Sequence, residues 1–116
     1  MPHVVLNTKI DLEEFSKKFQ NIFQEKPILI KITNIFLDTE KRCALVPTLV
    51  IDKLNQQFLI EITSRGGKTT VRLYPGTDPE KTDGVKTAMG ILVKKIQETF
   101  SEAIITKTNI ENYIPT

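Results

Sequence analysis

Lys17-Lys18-Phe19-Gln20-Asn21-Ile22-Phe23 followed by Ile28-Leu29-Ile30-Lys31-Ile32-Thr33-Asn34-Ile35 is echoed later as Lys94-Lys95-Ile96-Gln97-Glu98-Thr99-Phe100 followed by Ala103-Ile104-Ile105-Thr106-Lys107-Thr108-Asn109-Ile110. A repeat decides the fold before any single element does. In each copy an amphipathic stretch leads into a β-branched one, and a short apolar run precedes it, residues 4–7 in one half and 71–74 in the other. Two pseudo-repeated β-α-β units are therefore expected. A strand, a crossover helix and a second strand in one sheet normally lie parallel, with the helix on a face. The predicted architecture is an α+β fold in which a mixed sheet carries two helices on one face, plus an extra β-hairpin. No third helix is available for the opposite face, so self-association through it is expected, because a monomer would leave apolar area in water.

Working outward, residues 2–8 read as a first strand. Asp11 with Glu14 three positions on offers a variant capping box. Leu12, Phe15, Phe19, Ile22 and Phe23 then recur at helical spacing, which predicts a helix of three to four turns ending near Lys26, before Pro27. Residues 28–37 and 42–51 read as strands, with Pro47 marking an edge or bulge in the second. Residues 58–63 and 69–74 flank Gly66-Gly67 as a hairpin. Thr77-Asp78-Pro79-Glu80 predicts the start of a second helix. Val85, Ala88, Met89, Leu92, Val93, Ile96 and Phe100 form its buried stripe. Gly84 and Gly90 inside that helix are best explained by close approach to the sheet. Residues 103–108 read as the last strand.

The 116 residues suffice for one domain, residues 1–116. With 40% apolar and 26% charged residues the chain is neither a disordered tail nor a fibre. Sixteen basic against fourteen acidic residues, scattered along the chain, give no footprint for nucleic acid or a membrane surface. One Cys and one His exclude a disulfide framework and a Cys- or His-rich metal centre. No cofactor or metal is expected. No signal-peptide pattern or membrane-length apolar run is present, so the expected location is cytoplasmic.

The β-α-β echo, the Met1-Pro2-His3 start and the length together resemble the tautomerase superfamily. The likeness is nearest its 5-carboxymethyl-2-hydroxymuconate isomerase branch, and Thr70-Val71-Arg72-Leu73-Tyr74-Pro75-Gly76 and Asn109-Ile110-Glu111-Asn112-Tyr113-Ile114-Pro115 add to it. Asn7-Thr8 and Cys43-Ala44-Leu45 are similar to macrophage migration inhibitory factor. The resemblance implies a homotrimer with sites near subunit interfaces and keto-enol tautomerisation of a small carboxylated substrate. It makes Pro2, freed of Met1, the general base. An amine in an apolar site near other cations has its ammonium form disfavoured, so it can take and return a proton near neutrality. Lys31 stands where the isomerase branch carries an arginine, and Thr77 where that branch carries another, so the bidentate carboxylate fork is absent at both positions.

The candidate site is therefore Pro2 as base, Lys31 and Arg72 as anion-holding groups, and Tyr113 as an aromatic reaching a neighbouring subunit's site. Each has a plainer reading. Any chain can begin Met-Pro, Lys31 suits a solvent-facing strand position, and Tyr113 can simply pack. Cys43 has no sequence-adjacent partner and reads as a small buried side chain. Gly76 precedes a helix start and reads as part of its cap rather than as an anion site. A non-catalytic oligomeric binding or structural protein on the same scaffold is the competing expectation.

Overall fold

Gly66 and Gly67 adopt positive φ, 63° and 74°, a conformation that side chains oppose. They join two strands as the sequence predicts. The computed structural model describes residues 1–116. Its strands are β1 (His3–Leu6), β2 (Ile22–Gln24), β3 (Leu29–Ile32), β4 (Phe36–Leu37), β5 (Cys43–Ile51), β6 (Asn55–Arg65), β7 (Lys68–Leu73) and β8 (Ile105–Thr108). The helices are α1 (Leu12–Lys18) and α2 (Asp83–Thr99), and a 3₁₀ turn covers Glu111–Tyr113. The architecture is an α+β fold with two helices and one curled antiparallel sheet.

The sheet order is β2-β3-β5-β6-β7-β1-β8, with β4 also paired to β5. Every ladder is antiparallel, so the mixed sheet expected from the sequence does not form. Short connections at 52–54 and 66–67 make consecutive strands neighbours, and a tight connection permits only antiparallel pairing. β1 lies between β7 and β8 and is antiparallel to both. The strands on either side of α2 therefore run the same way without touching. β2, the strand after α1, lies at the opposite edge from β1 and β8.

The repeat also divides differently from its sequence reading. In the second copy Lys94–Thr99 is helix, whereas in the first α1 stops at Lys18 and Ile22–Gln24 becomes a strand. Phe19 leaves the helix at ψ 131°, its ring 5.8 Å from that of Phe15. The Asn21 side chain then accepts from the Asn34 amide at 2.9 Å. Ile22, Phe23 and Gln24 pair with Ile32, Lys31 and Ile30. The apolar spacing that predicts a longer helix is thus shared between a helix end and an edge strand.

The second helix begins at Asp83, later than Thr77-Asp78-Pro79-Glu80 predicts. Thr82 is the N-cap, accepting from the Val85 amide at 3.3 Å. Thr77 instead accepts from the Leu59 amide and donates to the Tyr74 carbonyl. Gln56 accepts from the Glu80 amide at 2.7 Å and donates to its carbonyl at 3.2 Å, pinning the intervening loop to β6. Gly84 lies against Val50 of β5 and Asp52 of the turn that follows it, the close approach expected of it. Gly90 instead admits the backbone of Tyr113, whose carbonyl oxygen occupies the space a Cβ would need.

Alternation along the strands separates two faces. Ile30, Ile32, Ala44, Val46, Val50, Ile60, Ile62, Val71 and Leu73 are buried with Leu12 and Phe15 of α1 and Val85, Met89, Leu92 and Ile96 of α2 in one core. Phe15 and Phe100 approach at 6.3 Å between ring centroids, tying both helices to that layer. The other face presents Lys31, Leu45, Pro47, Leu49, Leu59, Glu61 and Arg72, the odd-numbered partners of β3 and β5 and their neighbours. Pro47 sits where β5 faces the gap between Ile32, partner of Thr48, and Phe36, partner of Leu45. A missing N–H is tolerated at such an interruption. Asn34, in the same gap, takes φ 74°.

Candidate functional site

The helix-free face of the sheet carries the chemistry. Because β5 and β6 run in register from Cys43↔Thr63 to Ile51↔Asn55, their outward side chains form cross-strand rows. One row is Lys31, Leu49 and Gln57, the next contains Pro47 and Leu59, and the third is Phe36, Leu45, Glu61, Arg72 and His3. The first two rows line an open groove of about 440 Å³, with Thr77 at its rim. A volume of this size lies in the range of small-molecule sites, ~300–1,000 Å³. Its floor is Leu49, Pro47 and Leu59, and Lys31 is the one charged residue lining it. Lys31 belongs to none of the ion pairs in the molecule. Its ammonium stands 5.5 Å from the centroid of the Phe23 ring, placed there by the Phe23↔Lys31 pairing.

The third row leads to a smaller concavity of about 280 Å³, lined by Phe36, Asp38, Cys43, Leu45, Glu61 and Tyr74 among others. Glu61 is buried although no helix covers this face; its side chain is only 10% exposed. Arg72 Nε donates to Glu61 Oε1 at 2.6 Å, and Cys43 Sγ lies 3.6 Å from Oε2. Burial first, then the Glu61 charge and hydrogen bond, push the Cys43 thiol up to about 11. Near neutral pH it is a protonated thiol and a poor nucleophile.

Lys31 and Arg72 thus share a face but stand on β3 and β7, with two strands between them and Arg72 committed to Glu61. Pro2 lies elsewhere. It is buried and in phase with Val4 and Leu6, which point into the helix-side core. With Met1 in place its nitrogen is the amide after that residue, whose carbonyl accepts from Asn109 Nδ2 at 2.8 Å and lies 3.0 Å from His3 Nδ1. Tyr113 belongs to the helix layer, where its hydroxyl donates to Asp83 at 2.7 Å and Lys86 stands 5.4 Å from its ring. The Asp83 hydrogen bond holds the Tyr113 hydroxyl above its ordinary range. The four residues singled out in the sequence do not converge.

Glu61, Phe36 and the groove floor are what sequence reasoning missed. The available signal was a carboxylate inside the apolar run Phe58-Leu59-Ile60-Glu61-Ile62. Such a charge is costly there unless paired. No three or more His, Cys, Asp or Glu side chains are grouped to hold a metal ion. No helix is long and apolar enough to cross a membrane. The chain matches no family model, and no curated protein or solved structure is significantly similar to it.

Proposed function

We propose that this protein is a non-catalytic binding protein that takes a small carboxylated amphiphile in the groove on the helix-free sheet face. The observation that carries the reading is Lys31, a lysine without a carboxylate partner on the lining of a groove of ligand size whose other residues are leucines, Phe58 and Pro47 interleaved with threonines and Gln57. A lysine attracts an anion as a point charge, while Leu49, Pro47 and Leu59 gain by exchanging water for hydrocarbon, ~25 cal/mol per Å² of area covered. The groove is open, and this combination suits reversible capture.

The resemblance to proline-based tautomerases would instead require a Pro2 amine facing a cavity. Pro2 is buried with the core residues of β1 and lines neither concavity of the open face. Cys43, the nearest alternative nucleophile, is held protonated. These observations favour binding over catalysis. Protein lacking Met1 is expected to ketonise phenylenolpyruvate no faster than its Pro2→Ala variant.

Calorimetric titration with dodecanoate tests the binding reading. Wild-type protein is expected to bind it, and Lys31→Gln to weaken binding about fivefold, the order of one exposed charge pair. Absence of binding up to millimolar dodecanoate, or equal affinity in the two proteins, overturns it. Self-association through the same face would compete with the ligand, so affinity that falls as protein concentration rises identifies it.

A further inference from the structure

We propose that the concavity around Glu61 is a second subsite, selective for an organic cation, and that the ligand is a linear amphiphile with a carboxylate at one end and an ammonium at the other. The proposal rests on the groove reading above and extends it along the same face. The two concavities are lined by adjacent rows of one face: Pro47 and Leu59 line the first, and Leu45 and Glu61, two residues further along the same strands, line the second. Together they form one trough with an apolar floor of Leu49, Pro47, Leu59 and Leu45.

The chemistry differs at its two ends. Lys31 supplies a positive charge at one. At the other the charged lining groups are Asp38 and Glu61, both acidic. Glu61 is nine-tenths buried and its charge is partly offset by the Arg72 guanidinium, with Arg65 also near enough to act on the Cys43 thiol, so what the concavity offers a cation is the second carboxylate oxygen and Asp38. Arg72 engages Oε1, while Oε2 meets only the Cys43 thiol at 3.6 Å. A thiol is a weak donor and a carboxylate oxygen accepts more than one hydrogen bond, so acceptor capacity remains. Phe36, 57% exposed, and Tyr74 line the same concavity, and aromatic faces attract ammonium groups. Carboxylate and aromatic rings at one site select a cation and reject a second carboxylate.

The strand register sets the ligand's length. Lys31 pairs with Leu49 and Glu61 with Leu45. Four residues along β5 at ~3.3 Å each, and one strand to either side at ~4.8 Å, place the two Cα atoms roughly 16 Å apart. An extended hydrocarbon of ten to twelve carbons spans roughly that distance once the lysine side chain swings from the Phe23 ring toward β5. A compact dicarboxylate or a simple amine would satisfy one end only.

Titration calorimetry with dodecanoate and ω-aminododecanoate separates the two claims. Both probes carry the carboxylate and the chain, and only the second carries the ammonium. Wild-type protein is expected to prefer ω-aminododecanoate. Glu61→Gln is expected to reduce that preference about tenfold while leaving dodecanoate affinity within about twofold. Lys31→Gln should weaken both probes alike. A preference unchanged in Glu61→Gln overturns the cation subsite and leaves the groove reading standing, whereas failure of dodecanoate to bind overturns both. Should Glu61→Gln fail to fold because Arg72 loses its partner, Phe36→Ala decides. Its ring is mostly in solvent, and the preference should fall about threefold; no change overturns the proposal.

Discussion

Cys43 shows how one side chain's surroundings set its chemistry. Half-buried beside a carboxylate, its thiol is pushed up to about 11 by that burial first and by the Glu61 charge second. At pH 8 the thiolate fraction, and with it the rate of alkylation by iodoacetamide, should be about a hundredfold below that of a free cysteine. Glu61→Gln removes the neighbouring charge, so its alkylation is expected to be faster than wild type. Equal rates in the two proteins would show that burial alone accounts for the shift. The sequence reads the single Cys as a small buried side chain, and the structure leaves it half-buried. Its carboxylate neighbour was not, because Glu61 lies 18 positions away and meets it only through the β5–β6 register.

At the scale of elements, α2 is held at its start by a residue outside it. Asp52, in the turn between β5 and β6, accepts from the Gly84 amide at 3.1 Å and from the Leu54 amide at 3.1 Å. Hydrogen bonding from the Thr82 side chain, followed by the backbone amides of that turn, lowers the Asp52 carboxyl below its ordinary 3.8. The folded protein thus binds this proton less readily than the unfolded chain does. The stabilisation is complete above the unfolded value and is lost as pH falls through the lowered one. Asp52→Ala is expected to destabilise the protein by about 1 kcal/mol at neutral pH, the order of a lost helix cap. In thermal melts the difference from wild type should shrink as pH drops below 3.8. A difference independent of pH would assign the effect to packing around Gly84.

The elements themselves divide into those that local chemistry specifies and those it does not. The Gly66-Gly67 hairpin and the stripe of α2 are readable because turn residues and a long 3.6 period act over short range. The stretch 19–24 is not readable in this way. Phe19, Ile22 and Phe23 satisfy a helical spacing, yet Phe23 is 60% exposed and Ile22 pairs across to Ile32. Tertiary pairing overrides a short apolar period there. The candidate site shares this limit, since Lys31 was recognisable as a cation, while the groove beside it exists only once β3, β5 and β6 are aligned.

For the whole molecule, the two sides of the sheet carry unequal weight. Ile60 is fully buried under the helices, and its neighbour Leu59 faces the open groove. Ile60→Ala is expected to cost about 2–5 kcal/mol through a cavity in the core. Leu59→Ser should cost about 1 kcal/mol or less and weaken dodecanoate binding. Urea denaturation of the two variants, followed by titration of the second, measures both. Comparable losses of stability would mean that the open face supports the fold rather than a ligand.

The position of β1 between β7 and β8 has a consequence in time as well as in space. A strand made from residues 3–6 must wait for residues 68–73 to gain its first neighbour and for 105–108 to gain its second. During synthesis it therefore leaves the ribosome with both edges unpaired, and the long separation makes closure of its ladders a slow step. The Val4 and Leu6 side chains, sealed in the finished core, are made well before the strands that flank them.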